Sequence, residues 1–289
     1  MKKEYLFYKI VFSIFSFFAM ALVYLLISFI LYKGLSSISV ELIFSDANIV
    51  DAMMFKERVF DGIFPAIIGT LMLIFLSLIF GIVFGVASGI YLSIYANTKV
   101  KEFLTTCFEL LATVPSIIIG VFFLLLSIYL HKIFMSNFLP SLLLSSLALS
   151  LLILPYLVKN TQLCLDNIPK EIKHLGLTLG LNKMQNLFYI LLPYASKELT
   201  SGIFLALGRA CEDTAVIMLT GAVASAGIAS SVFDKYEALP FYIYYISSEY
   251  SDQAELNSAF GAALVLLCIA ILLFLFTSLL QKKFRKKYA

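Results

Sequence analysis

The sequence predicts an all-α polytopic membrane protein with about six membrane-spanning helices, and three observations lead there. Of its 289 residues, 61% are hydrophobic and only 13% charged, with a mean hydropathy of +0.98, whereas soluble domains hold roughly 45–50% apolar and about 25% charged residues. The apolar residues gather in runs of about 18 or more with few charges, the length one bilayer crossing needs. Lysine and arginine crowd the segments that six crossings leave on one side. Lipid is the solvent for most of such a chain, which excludes a soluble enzyme.

The first run, 8–32, exceeds the 7–15 apolar residues of a cleaved signal and lacks an obvious small-residue cleavage site, so it reads as a permanent helix. With the outer loop after it, it forms an N-terminal part, 1–62, ahead of a core of five further spans over 63–289. In the second run, 63–96, Ser77, Gly81, Gly85, Gly89 and Ser93 recur every four residues. That spacing places small side chains in one stripe where another helix can come close. The remaining runs are 103–130, 139–157, 199–221 and 256–280. Pro65, Pro115 and Pro155 lie inside or at the ends of runs, where each removes a backbone donor and invites a kink or break. Breaks at membrane depth are tolerated only against protein or a water-filled cavity.

Charge sets the orientation. Lys2, Lys3, Lys9, Lys99, Lys101, Lys159, Lys170, Lys173, Lys183, Lys197, Lys282, Lys283, Arg285, Lys286 and Lys287 fall on one side; Lys33, Lys56, Arg58, Lys132 and Lys235 fall on the other. The basic side is expected to be cytoplasmic, with both termini and the loop over 159–197. The opposite face is acidic, with Glu41, Asp46, Asp51, Glu57, Asp61, Asp234, Glu237, Glu249, Asp252 and Glu255, and mildly repels an unaided anion. Cys107, Cys164, Cys211 and Cys268 sit in or beside apolar runs without a CxxC, and His131 and His174 have no ligand companions at useful spacing. Neither a disulfide framework nor a metal site is indicated.

The fifth run carries the residues most expensive to place in lipid: Arg209, Glu212 and Asp213, followed by Thr214. Arg209 lies eleven residues past Glu198, roughly 16 Å at 1.5 Å per residue and close to the middle of a ~30 Å hydrocarbon core. Acids at i+3 and i+4 share the arginine's helical face, so an internal pair is available. An Arg209–Asp213 salt bridge could simply fix packing. Charges held at this depth also mark substrate or ion paths, and arginine offers a forked donor to a tetrahedral oxyanion. Glu109 reads as interfacial. In the loop, apolar residues at 172, 175 and 179, then 184, 187, 188 and 191, suggest two short amphipathic helices separated around Gly180.

That loop, from Gly180 through Ile190, Leu191, Leu192 and Pro193, resembles the coupling loop of bacterial ABC-importer permeases. In that family the motif opens Glu-Ala-Ala; here the corresponding positions are His174, Leu175 and Gly176. Further segments resemble the PstA-type branch: Asp61 to Thr70, Val114-Pro115-Ser116-Ile117 with Gly120, Leu239-Pro240 with Ile243-Tyr244, and Gly261 to Leu267. The branch's Arg-Ala-x-Gly-Glu-Thr-Ala signature is similar to Arg209 through Ala215, with Glu212 in place of glycine and Asp213 in place of glutamate. The resemblance implies a type I ABC-importer permease, multi-pass in the bacterial inner membrane, moving phosphate by alternating access. It implies a PstC-type permease partner, two ATP-binding PstB-type subunits holding ATP and Mg, and an extracytoplasmic phosphate-binding protein. No nucleic-acid partner and no cofactor on this chain are implied. Arg209 would face phosphate with Asp213 as its counter-charge, and Glu212 and Thr214 beside them; His174, Leu175, Gly176, Gly180, Ile190, Leu192 and Pro193 would couple to the ATPase. No GxxxxGK[ST] occurs, so the chain binds no ATP by a P-loop itself. Another oxyanion (molybdate, tungstate or sulfate) and proton-coupled transport through Glu212 and Asp213 stand as alternatives.

Overall fold

A computed structural model describes residues 2–45, 47–54, 59, 62–134 and 139–288. Asp46, Lys56, Glu57, Arg58 and Asp61 lie outside the described residues, as do the side chains of Lys2, Lys3, Lys283, Arg285, Lys286 and Lys287. The regular structure described is helical, in thirteen helices.

Helix α1 (Lys2–Leu35) leans chiefly on the last helix, and two short helices, α2 (Val40–Phe44) and α3 (Ile49–Met53), follow it. Helix α4 (Phe64–Ile90) starts on Pro65, whose missing N–H costs nothing in a first turn, and continues through a wide π turn over Tyr91–Tyr95. The run at 103–130 is not one span. It divides into α5 (Thr98–Thr113) and α6 (Ser116–Phe134) at Val114, which is extended (φ −66°, ψ 126°), the conformation imposed on a residue preceding proline. Helix α7 (Leu142–Asp166) carries Pro155 inside it without ending. The loop then holds α8 (Lys170–Thr178), α9 (Lys183–Asn186) and a second π turn over Leu187–Leu191.

The run at 199–221 is also divided, into α10 (Leu192–Glu212) and the six-residue α11 (Ala215–Thr220), with Asp213 extended between them. A connection over 221–238 leads to α12 (Leu239–Glu249) and α13 (Gln253–Tyr288). Among the described residues, five helical stretches are long and apolar enough to cross a membrane: Tyr5–Leu35, Phe64–Tyr95, Ser116–Ile133, Leu142–Asp166 and Gln253–Leu279. Helix α10 is long enough at 21 residues, about 31 Å, but its charges keep it outside that apolar set.

The core is built on the pairing of α4 with α7, the most extensive in the protein. The small-residue stripe faces α7: a Cβ added at Gly81, Gly85 or Gly89 would lie 2.8 Å from Ile153 Cδ1, 2.6 Å from Leu157 Cβ or 2.5 Å from Thr161 Cβ. Carbon atoms in contact sit at about 3.5–4.0 Å, so only glycine permits this approach. Helix α10 packs on the flank of α7, and α6 packs on α11. Near the start of α13, Gly34 of α1 lies against Leu264 and Phe260; near its end, Gln281 Nε2 donates to Lys197 O at 3.0 Å. The start of α1 and the end of α13 therefore lie at the end of the bundle that carries the 167–191 loop.

Candidate functional site

The geometry of the 167–191 loop is set by local rules. Helix α8 ends in a Schellman motif: Leu181 N–H reaches back to Gly176 O at 2.9 Å and Gly180 N–H to Leu177 O at 3.1 Å, with Gly180 at φ +83°, a conformation glycine takes without penalty. Asn182 then starts α9 with a reciprocal capping box to Gln185. Gly176 is buried, and a side chain there would collide with Asn186 Oδ1 and come 2.9 Å from Ile190 Cδ1. The two halves of the loop pattern thus pack on one another, and the third position must be small. Pro193 explains the π turn before it, since its ring cannot donate and crowds the carbonyl four residues back; the widened turn makes room.

Of the coupling residues named from sequence, Gly176 is buried, Ile190, Leu192 and Pro193 half-buried, and His174, Leu175 and Gly180 exposed. Leu187 and Leu191 join Leu165 and Ile168 in a small core beneath the loop. Leu175, Leu179, Met184, Phe188 and Tyr189 stay outside it, leaving an apolar exposed surface. The loop is tied to the bundle through Asp166: its Oδ1 accepts from Ser93 Oγ at 2.7 Å, its Oδ2 pairs with Lys101 Nζ at 2.7 Å, and its carbonyl accepts from Lys173 Nζ of α8 at 3.0 Å.

Arg209 lies in the last turn of α10, where the partial negative charge of the helix end favours a cation. Its partner is Glu212, with Nη1 to Oε1 at 2.7 Å. Asp213 is not its counter-ion. It is buried, and Oδ1 accepts the Val216 N–H at 2.9 Å, satisfying one of the donors a new helix leaves unmet. The expected Arg209–Asp213 pair is therefore replaced by an i,i+3 pair and a cap. The physical reason is the break after Glu212, which carries Asp213 off the helical face that Arg209 shares. Thr214 accepts through its carbonyl from Met218 N–H at 3.1 Å and serves the same turn.

The Arg209–Glu212 pair opens into a cavity of about 480 Å³ walled by Tyr156, Ser201, Phe204, Gly208 and Phe274. The guanidinium Nε is buried and has no hydrogen-bond partner. A buried unmet donor is costly, and this one is covered by protein and does not face the cavity; the guanidinium meets the cavity through its other, partly exposed atoms. Beside it, Lys159 Nζ and Glu109 Oε1 pair at 2.6 Å, and Tyr156 lines both this neighbouring cavity and that of Arg209. Sequence reasoning missed Tyr156 and this pair: the partners are 50 residues apart, and nothing in their local patterns announces that they meet.

At the opposite end of the bundle, the 221–238 connection folds on itself, with Val223 N–H donating to Tyr236 O at 3.0 Å. Glu237 is buried there and accepts from Gly227 N–H at 2.7 Å; burial pushes its carboxyl above the ordinary carboxylate range, against the backbone hydrogen bonds from Gly227 and Ala226. Leu239 N–H donates to Thr70 Oγ1 at 2.8 Å, fixing the connection to α4.

Residues 81–288 match the family described as "Binding-protein-dependent transport system inner membrane component". Among curated relatives, the "Probable ABC transporter permease protein YqgI" of Bacillus subtilis (strain 168) is 26% identical over 68% of this chain and 63% of its own length, so less than two thirds of that relative is spanned. The "Probable phosphate transport system permease protein PstA" of Methanocaldococcus jannaschii is 27% identical over 74% of this chain and 73% of its own. "Phosphate transport system permease protein PstA 2" of Mycobacterium bovis is 29% identical over 78% and 74%. Among solved structures, a chain from the "Inward facing conformations of the MetNI methionine ABC transporter" superposes with a TM-score of 0.57 at 18% identity, covering 82% of this chain and 99% of that one. It shares the fold.

Proposed function

This chain belongs to the family of binding-protein-dependent transport system inner membrane components, and on that premise we propose that it is the permease subunit of an ATP-driven importer carrying inorganic phosphate into the cytoplasm. It is an integral membrane protein, and its family implies ATPase and substrate-binding partners. The observation that carries the reading is Arg209: a guanidinium held at a helix break, paired with Glu212 and lining an open cavity. Phosphate-transport relatives bearing the PstA name supply the choice of anion.

In this reading the cation and Glu212 balance one another while the site is empty, and Asp213 is neutralised locally by the start of α11. An arriving oxyanion displaces Glu212 and takes the forked donor, the geometry for which arginine is suited. The loop between α7 and α10 faces the cytoplasm and docks on a PstB-type ATPase; a PstC-type permease completes the pore, and ATP and Mg act on the ATPase pair. Closure of that pair pulls α8, and Lys173 passes the pull to Asp166 and so to α4, α5 and α7. An extracytoplasmic binding protein hands phosphate over at the acidic outer face, which free anions avoid.

Labelled phosphate uptake in cells with and without this chain, with excess sulfate or molybdate as competitor, tests the assignment. Chain-dependent uptake that the competitors leave alone is expected. Glu212 and Asp213, which differ from the signature of the PstA-type branch, are the observation favouring a second reading with another oxyanion; inhibition by molybdate or sulfate would select it. Collapse of uptake by a protonophore with no dependence on an ATPase subunit would instead show proton-coupled transport.

A further inference from the structure

We propose that Lys159, with Glu109 as its resting partner, is a second oxyanion station, which takes the tetrahedral anion after Arg209 releases it and passes it toward the loop end of the bundle. The inference rests on the importer reading above and adds to it a site on the exit side. Lys159 lies seven residues inside the end of α7 at Asp166, about 10 Å into a membrane-spanning helix. An ion pair buried for packing would be covered by its own chain. This one is not, for its side chains are 45% and 58% exposed, and open charge at such depth is tolerated only against water or protein.

The pair borders a cavity of about 210 Å³ between α5 and α7, with Thr105 and Gln162 further along its wall. That volume admits an oxyanion and a few waters, each of which occupies about 30 Å³ in the liquid; the wall is largely apolar, so the Lys159 ammonium is the hold it offers an anion. Tyr156 forms part of the wall of both this cavity and the one at Arg209, so the two cavities adjoin at α7. Their spacing follows from packing: Asn160 sits against Gly202, seven residues and about 10 Å before Arg209 along α10. A further step of about 10 Å along α7 reaches the pair of Lys101 with Asp166 at 2.7 Å. Each cation on this line has a carboxylate that neutralises it when empty.

Exchange accounts for both capture and release. The anion displaces Glu109 from the ammonium, and the carboxylate, on returning, repels it onward. Lysine suits a transfer point because its ammonium is a compact point charge without the guanidinium's fixed fork, so it holds a tetrahedral anion with less geometric grip than Arg209.

The test is ATP-driven uptake of labelled inorganic phosphate into vesicles containing the whole reconstituted complex. We expect K159Q to lower the maximal rate at least fivefold while the half-saturating phosphate concentration stays within twofold, since capture belongs to Arg209. K159R should restore at least a third of the wild-type rate. The double variant K159Q/E109Q should stay as slow as K159Q, because the cation is still missing. Recovery of the double variant to the wild-type rate, loss of K159Q chains from the assembled complex, or a K159Q rate equal to wild type would each overturn the station while leaving phosphate import standing. Absence of phosphate uptake by the wild-type complex would defeat the importer reading itself, and the station with it.

Discussion

Replacing Asp213 by alanine and by asparagine separates a cap from a counter-charge. Its Oδ1 takes the Val216 N–H at 2.9 Å, and Val216 is fully buried, so alanine leaves that donor with no solvent to turn to. A lost cap costs about 0.5–2 kcal/mol and a stranded buried donor about 1–3 kcal/mol; these describe the same bond, so the two are not added, and about 2 kcal/mol is expected. Asparagine keeps an acceptor of equal capping quality and removes only the charge. The readout is the reaction of Cys211, buried at the end of α10 on the other side of the break from Val216, with a membrane-permeant maleimide, in chains whose exposed Cys107 and Cys268 are serine. Buried Cys164 of α7 serves as the internal reference. About 2 kcal/mol corresponds to roughly thirtyfold faster labelling in Asp213→Ala, against a change within about twofold in Asp213→Asn, which should also keep its uptake. If asparagine labels as fast as alanine, or loses uptake with Cys211 still protected, the charge matters and the cap assignment is wrong.

Three further outcomes follow from other parts of the molecule. Gly85→Ala puts a Cβ at 2.6 Å from Leu157 Cβ, about 1 Å inside contact, and should lower stability by about 1–3 kcal/mol, read as an earlier thermal transition of the purified complex; an unchanged transition would mean that α4 and α7 are less closely packed than described. Asp166→Ala severs the bonds from Ser93 and Lys101 and should raise amide exchange over 167–182 by roughly fivefold, as expected for the loss of about 1 kcal/mol from a half-exposed pair; exchange at the wild-type rate would remove Asp166 from the coupling route. Burial raises the folded-state pKa of Glu237 above its ordinary value of 4.5, so its protonated form favours the folded connection. That contribution is complete below the ordinary value and is lost as pH rises through the raised one. Proteolysis over 221–238 should therefore increase from pH 4 to pH 8, and Glu237→Gln should flatten the profile; an identical slope in the variant would place the titration elsewhere.

Much of this was legible in the sequence where one rule dominated locally. The four-residue stripe of small residues on α4 could serve only a close helix, and α7 supplies it with Ile153, Leu157 and Thr161 at the same spacing. The pairing of charges near Arg209 was visible too, but not which acid. Sequence spacing allowed i+3 and i+4 equally, and only the break after Glu212 sends Asp213 to the next helix. The runs at 103–130 and 199–221 looked continuous because hydropathy does not register a change of direction. Pro115 gave notice of the first break. The second arises at Asp213 without proline or glycine, from a side chain that prefers to cap. Lys159 and Glu109 belong to different runs, and their meeting depends on how α5 lies across α7, which no local pattern encodes.

The central claim is that Arg209 holds the transported anion, and Arg209→Ala tests it most directly: phosphate uptake measured alongside recovery of the assembled complex. The account predicts uptake reduced to the level of cells lacking the chain, with the complex recovered in normal amount. Uptake that persists in the variant, or a chain that no longer assembles, would contradict it and make Arg209 a packing residue.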